Sequence, residues 1–363
     1  MDLVITSLGM ISSVGYDVVT SCASVRAGIR RPREICHFSV LDEESQEMLP
    51  LTGCQIHGYT EGFNIIGFWV RVGLSCLNDL IGYGALPEKC NKAFWSNTGL
   101  IAVTPPISDA RFNSDESFTP LMLKQAYFDR LMELFDVPIS QENLGVVCAG
   151  HAGAIAAIRQ AKTIIAEQNL ERIIILAVDS YLDPMTLDWL EEHGRLKTSG
   201  NPVGLTPGEA GACFMVESVL SAQNRHAPIQ AFIKEPALAV EKNHFFSNAP
   251  NQGDGLAAVI SDALSQTEVS GSFHGTIFSD LNGETWRAYE LGTAMVRVPY
   301  LLRNDNKFIY PSEYLGEIGA ASGAVAICLA ARSFQRGYSD CNTILVISSS
   351  DYGQVGAVCL SRT

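Results

Sequence analysis

An α/β fold with buried strands is what this sequence predicts, and three observations carry the prediction. Short β-type runs alternate with longer helical patterns, the sign of strands covered by helices on their faces. A similar order of elements begins again near residue 220, after the polar stretch 221–226. Of 363 residues, 47% are hydrophobic and 18% charged, ample material for a large core and unlike a disordered chain.

The elements are expected in this order. Residues 3–5 form a first strand, followed by a glycine-punctuated turn over 9–15. Helical patterns follow at 18–27, 65–80 and 120–134. Residues 144–148 read as a short buried strand leading into 152–168, whose Ala and Ile content suits a helix buried on most sides. Strands at 172–178 and 212–217 are strongly apolar. After the polar turn come a strand at 229–234, an amphipathic helix at 255–266, a strand at 276–281 and a small-residue helix at 319–332. A hairpin of 343–348 with 355–360 closes the chain. The expected division is a first half at 1–220 and a second at 221–363, with the irregular stretch about 30–135 read as insertions on the first.

Charge and cysteine usage narrow the function classes. The 25 basic against 39 acidic residues give a net charge of −14, which argues against wrapping along nucleic acid or docking on an anionic membrane. The ten cysteines include no CxxC pair, so a zinc or iron–sulfur site has no local support, and no cofactor is expected. Several sit inside apolar runs, as Cys213 and Cys328 do, and read as small buried hydrophobes of a reduced, cytoplasmic protein. No basic region precedes the first apolar stretch, and no apolar run reaches the ~20 residues that span a bilayer.

The segment Val4-Ile5-Thr6-Ser7-Leu8-Gly9-Met10-Ile11-Ser12-Ser13-Val14-Gly15 resembles the opening of the β-ketoacyl synthases, the condensing enzymes of fatty acid and polyketide assembly. The resemblance continues at Arg26-Ala27-Gly28-Ile29. Pro207-Gly208-Glu209-Ala210-Gly211-Ala212 resembles the family's PGEGA segment. Residues 316–324 resemble its histidine-containing glycine/alanine segment, and 348–357 its glycine-rich C-terminal loop. These markers run in family order over essentially the whole chain. They imply the thiolase fold, a five-layered αβαβα arrangement of two pseudo-symmetric halves that usually dimerises.

The family's chemistry needs a cysteine at the start of a buried helix, where the dipole favours the thiolate, and two histidines that polarise the thioester carbonyl and assist decarboxylation. Matching its motifs puts Gly150 at the nucleophile, within Cys148-Ala149-Gly150-His151-Ala152-Gly153. Asn282 falls at the first histidine, Glu317 at the second, and Ser312 at the family's lysine. The C-terminal loop, usually G-F-G-G, is Asp351-Tyr352-Gly353-Gln354. Loss of the nucleophile alone commonly costs about six orders of magnitude in rate. An anion at 317 would also repel a malonyl carboxylate. The resemblance therefore implies a catalytically inactive member, with Cys148, His151, Glu209 and Asp351 as a possible residual pocket.

Two function classes follow. One is a binding or scaffold protein, a homodimer or a heterodimer with a related synthase: an accessory or adaptor protein of a type VI secretion effector cluster, or a chain-length-factor-like subunit that pairs with an active synthase. Val178-Asp179-Ser180-Tyr181 and the PGEA variant resemble the secretion-associated group. The other is a divergent acyltransferase using Cys148, paired with His151, or a non-covalent mechanism with Asn282. His274 precedes its strand and is expected on a surface loop, His193 at a polar helix end, and Asp179-Ser180 as a structural pair.

Overall fold

The computed structural model describes residues 2–42, 45–106, 110–112, 120–168, 170–247, 249–266, 272–303 and 305–362. Its strands are β1 (Leu3–Ser12), β2 (Arg33–Leu41), β3 (Met48–Gly53), β4 (Thr98–Thr104), β5 (Leu144–Cys148), β6 (Arg172–Ser180), β7 (Glu209–Ser218), β8 (Ala231–Ile233), β9 (Ala237–Val240), β10 (Thr276–Ser279), β11 (Lys307–Ile309), β12 (Thr343–Ser349) and β13 (Gln354–Ser361). Its helices are α1 (Val18–Arg26), α2 (Ile65–Tyr83), α3 (Lys92–Trp95), α4 (Pro120–Phe135), α5 (Gly153–Glu167), α6 (Pro184–Glu192), α7 (Val219–Asn224), α8 (Asp254–Ser265), α9 (Thr285–Arg297), α10 (Ser312–Leu315) and α11 (Ser322–Gln335).

The sheet order is β11-β10-β12-β13-β8-β1-β7-β6-β4-β5, with β9 also on β13 and β2-β3 a separate hairpin. Two halves repeat within it. Across the first the strands run β1-β7-β6-β4-β5, and across the second β8-β13-β12-β10-β11. In both, the first two junctions are antiparallel and the last two parallel. The halves join where β8 pairs antiparallel with β1.

Alternation along the strands builds the layers. Ile173, Ile175 and Ala177 of β6 face one core, while Ile174, Leu176 and Val178 face another, as the two-residue period of a strand requires. The inner core holds α5 and α11 between the two sheet halves: Ile155 and Ile158 with Ile327 and Ala331 pack against Phe214 on one side and Val346 on the other. Outside the first half lie α2 and α4, through Trp69, Leu77 and Tyr127. Outside the second lie α8 and α9, through Val259 and Leu291. This is the five-layered αβαβα arrangement of a thiolase-like fold. Helix α11 is buried nearly all round, which its run of Ala and Gly permits because small side chains let both sheet halves approach.

Several expectations are corrected. The first strand runs through Ser12, so Gly9 lies inside β1 and not in a turn; a Cβ there would sit 2.1 Å from the Cys76 carbonyl oxygen of α2, and the glycine serves close helix–sheet approach. The stretch 30–135 is not merely insertion, since β4 sits between β6 and β5 in the sheet. The polar stretch at 221–226 belongs largely to α7, capped by the Ser218 hydroxyl, which accepts from the Ser221 amide. Helix α9 was not anticipated, and of α6 only its polar end at His193 was. By length and composition the 19-residue α2 could cross a membrane, but its Phe68, Val72 and Leu80 are core residues against the sheet.

Candidate functional site

Four segments meet at one end of the inner layer. A 3-10 turn, Gly150–Ala152, joins β5 to α5, and a second, Gly319–Ala321, opens α11. The connection from β10 brings Asn282 and Glu284 to the start of α9, and the β12–β13 turn carries Asp351. Both inner helices thus present their N-terminal ends to the same place.

What they surround is a closed network of charge. Glu317 is its centre: the His151 imidazole (Nε2) pairs with Oε1 at 2.8 Å, Asn282 Nδ2 donates to Oε2 at 2.5 Å, and the Gly319 amide donates to Oε1 at 2.8 Å. Asn282 Nδ2 also reaches Glu284 Oε2 at 2.8 Å. Arg287, from α9, donates to Asp351 Oδ1 at 2.8 Å and to the Ser349 carbonyl at 2.6 Å. Arg195 bridges Asp351 (2.7 Å) and both oxygens of Glu284 (2.7 and 2.8 Å). None of these six charged residues is more than 5% exposed, so their charges must be compensated internally. With His151 protonated, three cations (Arg195, Arg287, His151) face three anions (Glu284, Glu317, Asp351).

The neighbouring charges set the protonation of the groups at the centre. Burial and the Arg287 guanidinium, 3.1 Å from His151 Nε2, both oppose a charged imidazole, yet Glu317 carries its pKa above the ordinary value. Burial pushes Glu317 up, but His151 and Arg287 outweigh it and hold the carboxyl at about 2. Asp351 is held well below the usual carboxylate range against its burial, by Arg195 and Arg287. Asp280, 3.5 Å from Arg287, is instead raised by burial. Aromatic rings cover the arginines: Phe245 and Trp189 lie 4.6 and 5.0 Å from Arg195, and Trp286 lies 4.6 Å from Arg287.

The structure brings together Gly150, His151, Asn282, Glu317 and Asp351, and places other candidates elsewhere. Gly150 has φ +54° at the apex of a strand–turn–helix corner, the geometry that displays a nucleophile in other α/β folds. A Cβ at this glycine would lie 3.0 Å from Ser350 Oγ. Ser312 donates to the Leu281 carbonyl beside the cluster. Cys148 accepts from Thr104 Oγ1 at 3.4 Å and burial raises its thiol pKa, the opposite of an activated thiolate. Glu209 belongs to a different group, accepting from the Thr60 hydroxyl, the Ile56 amide at 2.8 Å and Ser180 Oγ at 3.2 Å. Burial pushes its carboxyl up to about 7.

Asp179 is buried against Arg111 (2.6 Å) and the Ala320 amide (2.8 Å), His274 lies exposed 3.5 Å from Asp305, and His193 caps α6. Among the described residues, no group of three or more His, Cys, Asp or Glu could hold a metal ion. Sequence reasoning missed Arg195, Arg287 and Glu284. Their only local signal was charge at the ends of α6 and α9.

No family model matches the chain, and no curated protein matches it. Solved structures do. A chain of the type II polyketide synthase acyl-carrier protein in complex with its ketosynthase has a TM-score of 0.78 at 14% identity, covering 99% of both chains. The ishigamide ketosynthase/chain length factor gives 0.76 at 16%, covering 99% of this chain and 98% of that one. A β-ketoacyl synthase from Burkholderia phymatum gives 0.71 at 14%, covering 100% and 99%. At such identities the likeness establishes the ketosynthase-type fold.

Proposed function

We propose that this chain is a non-catalytic ketosynthase-like protein that works by binding a protein partner. The observation that carries the reading is the salt-bridged Glu317 at the centre of the closed network. The corner where a nucleophile would stand holds Gly150, and the carbonyl-polarising positions hold Asn282 and Glu317. A carboxylate held at about 2 is anionic at every physiological pH. It disfavours both a malonyl carboxylate and a developing enolate, the opposite of oxyanion stabilisation.

The partner class we infer is a protein of related fold or its client. As an accessory or adaptor protein of a type VI secretion effector cluster, the chain would bind an effector. A second reading, a chain-length-factor-like subunit beside an active synthase, is supported by the likeness to the ishigamide ketosynthase/chain length factor. In either case β5 offers a docking edge: it ends the sheet, and four of its five residues are only half-buried. An unpaired strand edge without Lys or Pro to blunt it is a template for another chain.

The test is a condensation assay with acyl and malonyl thioesters, beside peptide mapping after iodoacetamide. No turnover and no selective adduct are expected. Stoichiometric labelling of Cys148 at neutral pH, or any measurable condensation, overturns the reading in favour of a divergent acyltransferase. A pull-down then separates the partners: a synthase subunit supports one reading and an effector the other.

A further inference from the structure

Two adjoining cavities lie among α1, α11 and β11. The first, of 430 Å³, is lined by Val19, Ala23, Arg26, Arg332, Arg336 and Tyr338. That volume is within the range of about 300–1,000 Å³ usual for small-molecule sites. The second, of 210 Å³, shares Arg26 and Tyr338 with it and continues between Val25, Phe278, Phe308 and Leu329. Lys307 and Glu313 also line it, with opposite charge. At the shared wall, the Arg26 guanidinium lies 4.2 Å over the Tyr338 ring.

The charge here is at odds with the rest of the protein. The chain carries −14 overall, yet three arginines line one cavity, and among the described residues every arginine–carboxylate ion pair involves other arginines. Arg332 is held by neutral groups, donating to Tyr83 Oη at 3.1 Å and to the Gln335 side chain. Three unneutralised cations in one concavity repel one another unless an anion joins them. A guanidinium's planar donors suit phosphate or carboxylate oxygens.

We propose that this paired cavity binds a small organic anion, its phosphate or carboxylate head among Arg26, Arg332 and Arg336 and a compact apolar body in the chamber against Phe278 and Phe308. The site is independent of the ion network around Glu317 and of the partner-binding reading.

Calorimetric titration of the full chain with phenyl phosphate, inorganic phosphate and phenol tests it. Phenyl phosphate is expected to bind saturably at one site, roughly tenfold or more tightly than inorganic phosphate, and phenol weakly if at all. The double variant Arg26→Gln/Arg336→Gln, both exposed positions, is expected to weaken phenyl phosphate by tenfold or more. Phe308→Ala is expected to narrow the gap between the two phosphates. No saturable phenyl phosphate binding at millimolar concentration overturns the proposal. So does binding indifferent to the arginine pair, or equal affinity for both phosphates.

Discussion

Glu317→Ala would leave Arg287 and His151 facing each other in the interior with one anion fewer. Removing one partner of a buried ionic network typically costs about 3–5 kcal/mol, because the remaining charge stays desolvated. The expected result is a loss of that size in denaturant unfolding. It should be accompanied by an imidazole pKa for His151 that falls below the usual 6.5, since only the opposing effects of burial and Arg287 remain strong. An unchanged His151 titration by NMR would show that Glu317 does not govern it. The direction with pH follows from occupancy. Between about 2 and 4.5 the unfolded chain protonates this glutamate while the native one does not, so its contribution to stability fades as pH falls through that window.

Glu209 has the opposite sign. Its native pKa near 7 exceeds the ordinary 4.5, so the native state holds the extra proton, and stability from this group declines as pH rises from 4.5 to 7. Glu209→Gln keeps an oxygen acceptor for the Ile56 amide and Thr60. It should abolish that decline and raise stability above pH 7, read as Tm against pH. The residues of the buried ion network were partly legible in the sequence. Gly150, Asn282 and Glu317 are the positions that the motif resemblance picked out, whereas Arg195 and Arg287 come from distant segments, and only the fold brings charges from residues 195, 287 and 351 together.

At the scale of elements, the proposed docking edge is β5, which ends the sheet. Val147 is half-buried and packs toward the inner layer. Val147→Lys puts an inward-pointing charge on the edge strand, one of the devices that discourage strand pairing. The expected outcome is self-association or partner affinity weakened roughly tenfold, with the far-UV spectrum unchanged; light scattering on a sizing column measures it. Association indifferent to the charge would move the interface elsewhere. The elements most legible in sequence were those with one strong period or an uninterrupted apolar run, such as β6 and α5. Strand β4 was lost inside a long stretch of mixed character although its seven residues are all buried. Helix α9 was lost because its polar face outweighs its few core residues, Leu291 and Ala294 among them.

The repeat of strand order in the two halves bears on how the molecule folds as a whole. We propose that 1–220 and 221–363 form one folding unit, because the inner layer belongs to both. Helix α5 comes from the first half and α11 from the second, and α11 contributes Ala324, Ile327 and Ala331 to a core whose other walls are β1, β6 and β7. A fragment of residues 1–220 would expose that wall, and each fully uncovered Ile or Phe would lose about 1.5–3 kcal/mol of burial. A net stability of only about 5–15 kcal/mol does not survive the loss of several such contacts. The fragment alone should bind a hydrophobic dye and lack a near-UV signal, and adding 221–363 should restore the signal. The intact chain should unfold in one transition by every probe. A fragment 1–220 that folds cooperatively as a monomer would instead make the halves true domains. The ion network would then be an interdomain contact, with Glu317 and Asp351 from one domain meeting His151 and Arg195 from the other.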